Sequence, residues 1–166
     1  MNSLAKAFGV AVVAVSVGCA GSDVTQPVGA TIQLVRLRAE PYSFTFYSGF
    51  DKPTRLVVRD VVTWQAVWHQ IYLRQSPVPP LPAIDFSREM VVVAALGSHS
   101  TGGYSILLDR ATEAAADGIA VTVNSNSPGS NCFVTEAFTQ PVDVARLPLH
   151  HGPVSFVEQS HVSTCG

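Results

Sequence analysis

Every residue from Met90 to Leu96 is apolar, in the order Met-Val-Val-Val-Ala-Ala-Leu. A short run of this kind, rich in β-branched side chains and without polar alternation, reads as a buried strand. It breaks at Gly97, passes into the polar loop Ser98-His99-Ser100-Thr101-Gly102-Gly103, and resumes as Tyr104-Ser105-Ile106-Leu107-Leu108. The stretch is therefore strand, loop, strand. Turn chemistry alone favours a plain hairpin. The alternative is a recognition surface, because Gly102 and Gly103 permit backbone angles that side chains forbid and allow close approach of another chain.

Upstream, Trp64, Val67, Trp68, Ile71 and Tyr72 recur at offsets of three, four, seven and eight, the spacing of one helical face, with Asp60 or Thr63 as its N-cap. Such a stripe belongs in a core, and His69 beside it belongs in solvent. Prolines 77, 79, 80 and 82 then end the helix and exclude a sheet interior, so Gln75 to Pro82 is a stiff connector. Further strands are expected at Thr31–Arg38, Tyr42–Phe46, Arg55–Arg59, Ile119–Asn124, Cys132–Phe138, Val142–Leu147 and Val154–Gln159. A weak helical turn is expected over Ala111–Asp117, and a loop over Asn124–Asn131. About nine short strands and one amphipathic helix predict a mainly β (α+β) domain, an antiparallel sandwich or barrel-like sheet packed around that helix.

The chain has 166 residues, enough for one core without metal support, and no internal repeat. Charged residues make up only 13% and the formal net charge is −2, which excludes a broad basic field for nucleic acid. Residues 1–18 read as an export signal: Lys6 precedes an uncharged run from Ala7 to Gly18 that is too short to span a bilayer. The junction Val17-Gly18-Cys19 resembles a bacterial lipobox, with Ser16 where leucine is usual, and this makes Cys19 the lipidated N-terminus of the mature protein. Cleavage near Ala20 and an uncleaved anchor are the alternatives. Residues 19–30 form a flexible tether rich in small residues, and 31–166 a single domain. Location in the bacterial cell envelope, facing the periplasm or exterior and touching the membrane through lipid alone, follows from that reading. In such an oxidising setting Cys132 and Cys165 are expected to pair, two free thiols being the alternative. The loop closed would span about 33 residues and contribute on the order of 3 kcal/mol.

Signatures of catalysis are sparse. His150-His151 point to opposite sides of an extended segment and do not chelate together. Ser98-His99-Ser100 places hydroxyls beside an imidazole without a nucleophile elbow. Asp85 and Glu89 read as local caps of backbone amides. No catalytic residue, metal ligand or cofactor is assigned.

Asp85-Phe86-Ser87, Glu89-Met90 and Thr101-Gly102-Gly103-Tyr104, with Trp64 and Trp68 before them and Ser127-Pro128-Gly129 after them, resemble the C-terminal domain of the PrcB family of protease-complex subunits. The resemblance spans Val57 to Leu147. It implies a non-enzymatic accessory subunit that stabilises an exported or envelope partner such as a protease. The contact candidates are Ser98, His99, Ser100, Thr101, Gly102, Gly103 and Tyr104, with the side chains of His99 and Thr101 expected to be exposed. Ser100 to Tyr104 also resembles a glycine-bearing loop of chagasin-type protease inhibitors, which makes inhibition through the Ser98–Tyr104 loop the alternative function.

Overall fold

The computed structural model describes residues 29–38 and 46–165. The signal segment 1–18, Cys19, nearly all of the tether and most of the expected strand Tyr42–Phe46 lie outside those residues. Eight strands and one helix follow in order: β1 (Thr31–Ile32), β2 (Val35–Arg36), β3 (Thr54–Val58), α1 (Val61–Ile71), β4 (Glu89–Ala95), β5 (Ser105–Ala114), β6 (Gly118–Pro128), β7 (Val142–Pro148) and β8 (Val154–Ser163). They form two four-stranded sheets, β1-β5-β6-β8 and β2-β7-β4-β3. The fold is mainly β and sandwich-like. Pairings between these strands are antiparallel apart from β6 with β8.

The unbroken apolar run is explained by layering. Met90, Val92 and Ala94 pack with Ile106, Leu108, Val121 and Val123 between the sheets. Val91, Val93 and Ala95 point the other way, into a second core with Trp64, Val67, Trp68 and Ile71 of the helix. With both faces of β4 covered from Met90 to Ala95, no position along that stretch can be polar. Each fully buried valine contributes roughly 2 kcal/mol relative to an exposed one.

Asp60 starts the helix as its N-cap, its carboxylate accepting the Thr63 amide at 2.8 Å and holding its own pKa below the usual value. The aromatic stripe is buried, with ring centroids 5.2 Å apart for Trp64 and Trp68 and 4.5 Å for Trp68 and Tyr72. His69 is exposed. The proline connector lies against this stripe, where its carbonyls at Pro82 and Pro79 accept the indole N–H groups of Trp64 and Trp68 at 3.0 and 2.9 Å. Backbone that cannot join a sheet thus satisfies two buried indoles.

Five local expectations are corrected. Thr31–Arg38 is not one strand: β1 pairs with β5 and β2 with β7, so the chain crosses between sheets within four residues. Ala111–Asp117 makes no helical turn, since β5 runs on to Ala114 and pairs with both β1 and β6. Tertiary pairing overrides the helix propensity of alanine there. The turn that follows places Ala116 and Asp117 at φ 57° and 50°. Asn124–Asn131 is strand as far as Pro128, because β8 pairs alongside it from Ile119↔Val154 to Pro128↔Ser163. Conversely, residues 132–138 form no strand. Finally, the loop after β4 is not a hairpin: β4 and β5 lie in different sheets, and the loop carries the chain between them.

Candidate partner-binding surface

The crossing loop begins at Gly97, whose φ of +86° places it in the left-handed region, against Pro53. The next turn is fixed by a polar hub that sequence reading missed. Gln140 is fully buried, and its side-chain amide donates to Ser98 Oγ at 3.0 Å and to the Asp51 carboxylate at 2.5 Å. Its amide oxygen accepts the Arg74 guanidinium at 2.8 Å. Ser48 closes the hub by donating its hydroxyl to the Gln140 backbone carbonyl at 2.9 Å. A buried glutamine with all these groups occupied costs little, and it locks the elements around it in one arrangement.

Beyond Ser98, residues 135–139 brace the loop. His99 and Thr139 exchange backbone bonds of 2.8 and 2.9 Å, Thr139 Oγ1 donates to the Thr101 carbonyl at 2.9 Å, and the Gly102 amide donates to the Thr135 carbonyl at 2.9 Å. A Cβ on Gly102 would stand 2.4 Å from Thr135 Oγ1. Close approach, rather than an unusual φ, is the reason for glycine at this position. Gly103 differs, with φ +87°. The bracing segment is held in turn by a disulfide between Cys132 and Cys165, whose Cα atoms are 4.9 Å apart.

Of the expected contact residues, Ser98, Ser100 and Gly103 are exposed, while Gly102 is buried. His99 and Thr101 are half-buried, contrary to the expectation of exposed side chains, because each lies under the bracing segment. Tyr104, also half-buried, stacks on the His99 ring at 3.8 Å with planes inclined by 15°. Burial lowers the His99 pKa, and a hydrogen bond with the Leu96 backbone opposes that shift. Its Nε2 is buried and has no hydrogen-bond partner among the described residues. Ser98 Oγ meets Gln140 and Asp51 rather than an imidazole, so the Ser-His-Ser sequence is not arranged as nucleophile and base.

Exposed apolar side chains border the hub. Phe138 lies under the Arg74 guanidinium, 5.7 Å from its ring centroid, and is 47% exposed. Tyr47, 49% exposed, forms a backbone bridge with Gln140. Leu73 is also exposed. Asp85, by contrast, is a local cap: its carboxylate accepts the Ser87 amide and hydroxyl, which hold its pKa below the usual value. Glu89 pairs with Arg146 at 3.1 Å. His150 sits on a turn with its ring 2.7 Å from the Asp117 carbonyl. No group of His, Cys, Asp and Glu among the described residues is arranged to hold a metal ion.

Residues 90–148 match the family model described as PrcB C-terminal. Over that segment the chain is similar to PrcB C-terminal domains. The match takes in β4 to β7, the crossing loop and its brace, and it starts after the helix and the Asp85 turn. No curated protein and no solved structure matches the chain.

Proposed function

We propose that this chain is an exported lipoprotein, held to a bacterial membrane by acylated Cys19, that serves as a non-enzymatic binding and stabilising subunit of a protease complex. The PrcB C-terminal match supports a role in a protease-related system. The observation that carries the binding reading is the loop from Ser98 to Tyr104, fixed by backbone bonds to Thr135 and Thr139 and flanked by exposed Phe138, Tyr47 and Leu73. A pre-formed loop loses little conformational entropy on binding, and aromatic side chains beside an arginine are the usual anchors of an interface.

Affinity capture from membranes, with wild type and with Phe138→Asp in parallel, tests this reading. A protease recovered with the wild type and at least about tenfold depleted with the variant is expected, a loss of about 1.4 kcal/mol in binding. Identical captured sets with equal melting temperatures would remove the surface from consideration. Inhibition of a papain-like protease by the purified chain, lost in the same variant, would instead support the chagasin-like reading. Cys19→Ser should release the protein from membranes; retention of this variant, with no acyl mass on the wild type, would refute the anchor.

A further inference from the structure

The four sheet edges are not alike. Strands β1 and β2 have 2 residues each, and β3 has 5. Short edges of that kind resist pairing with another chain. Strand β8 has 10 residues, reads Val-Ser-Phe-Val-Glu-Gln-Ser-His-Val-Ser, and contains no proline, lysine or glycine. Val157 and Val162 on it are 45% and 67% exposed. The one carboxylate, Glu158, is neutralised from the other sheet by Arg55, with contacts of 2.8 and 2.9 Å.

Strand parity shows which backbone groups face outward. The carbonyls of Pro153 and Ser163 both accept amides from the β6 side, those of Ile119 and Gly129, at 2.9 Å. Odd-numbered residues of β8 therefore turn their backbone groups toward β6, and Phe156, Glu158, Ser160 and Val162 turn theirs to the edge that no strand among the described residues covers.

We propose that β8 pairs antiparallel with β8 of a second copy of this chain, about a two-fold axis at Gln159. In this register Phe156 faces Val162, Glu158 faces Ser160 and Val157 faces His161 of the other copy, with the two Gln159 residues opposite each other. The outward amides and carbonyls of Phe156, Glu158, Ser160 and Val162 are then all paired. An axis at Glu158 would set two carboxylates directly opposite, which is destabilising. An axis at Val157 would set Glu158 against Phe156 and leave Val162 without a facing strand residue. Self-complementarity at Gln159 is what selects a second copy over a foreign strand, and it joins the two β1-β5-β6-β8 sheets into one.

Sedimentation equilibrium of the purified full chain is expected to show a reversible dimer. Ser160→Pro removes an amide that faces the open edge and spares the β6 ladder, so it should give a monomer of nearly unchanged melting temperature. Gln159→Cys should cross-link to itself on mild oxidation, since directly opposed residues of a non-hydrogen-bonded pair have Cα atoms about 4.5 Å apart. Ser155→Cys, on the same face but off the axis, should not. A wild type that stays monomeric at every concentration leaves the edge to a strand of another protein and overturns the proposal. So does a dimer that survives Ser160→Pro, or one in which Gln159→Cys cross-links no better than Ser155→Cys. If Ser160→Pro fails to fold, the cysteine pair decides alone.

Discussion

The Asp143 carboxylate, on β7, accepts the backbone amide of Leu108, on β5, at 2.8 Å. It thereby joins the two sheets through a side chain, at the point where the β5–β6 register shifts between Leu108 and Arg110. Arg36 of β2 completes the link, with its Nε 3.3 Å from Asp143 and its terminal nitrogen donating to the Leu108 carbonyl. The buried carboxylate thus supplies the acceptor for a main-chain amide inside the sandwich.

Asp143→Ala should therefore leave both the Leu108 amide and the Arg36 guanidinium short of a partner. A loss on the order of 3 kcal/mol in urea unfolding is expected. A variant as stable as the wild type would show that water replaces the carboxylate at no cost.

Trp68 separates packing from hydrogen bonding. Trp68→Ala should cost about 3–5 kcal/mol as a large core truncation. Trp68→Phe keeps most of the packing but leaves the Pro79 carbonyl without its donor, and a smaller loss of about 1–3 kcal/mol is expected. A Trp68→Phe variant as stable as the wild type would mean that the proline connector contributes nothing through this bond.

Gly102→Ala places a methyl group against Thr135 Oγ1, and overpacking of this kind costs about 1–3 kcal/mol. The nearest atoms left after Thr135→Ala are 3.7 Å away, an ordinary contact. The double variant should be more stable than Gly102→Ala alone, an interaction that a double-mutant cycle measures directly. Simple additivity would place the strain elsewhere.

His99 makes the fold sensitive to acid. Its folded pKa lies below the ordinary 6.5, so near that pH the unfolded chain binds the proton more readily. Stability from this residue is complete above about pH 6.5 and falls as pH drops through that value toward the folded pKa. His99→Phe keeps a ring against Tyr104 and cannot titrate. The wild type should lose more stability than this variant between about pH 7 and 5. Parallel pH profiles would contradict the buried imidazole.

How much of this could be read in the sequence depended on whether a residue's surroundings were local. The aromatic stripe and its Asp60 cap are set within one helix, and they fold as the spacing requires. The Met90–Leu96 run likewise shows its two-sided burial in its composition. Asn124 to Pro128, by contrast, carries every mark of a turn, and is a strand because Ser105 to Leu107 pairs along one side of it and Gln159 to Ser163 along the other. The role of Gln140 is not legible in the sequence, because nothing nearby announces Asp51, Ser98 and Arg74 as its partners. The loop after Gly97 resembled a hairpin for a similar reason. Sheet membership is decided by strands distant in sequence.

Strand β4 is a shared wall one residue thick. A substitution on the helix that nudges Val91 or Val93 also displaces Met90 and Val92, whose side chains face the opposite chamber. The two chambers cannot relax separately. Defects in one should therefore be felt as altered packing in the other, and paired changes such as Trp64 with Leu108 should depart from additivity although they lie on opposite sides of the wall.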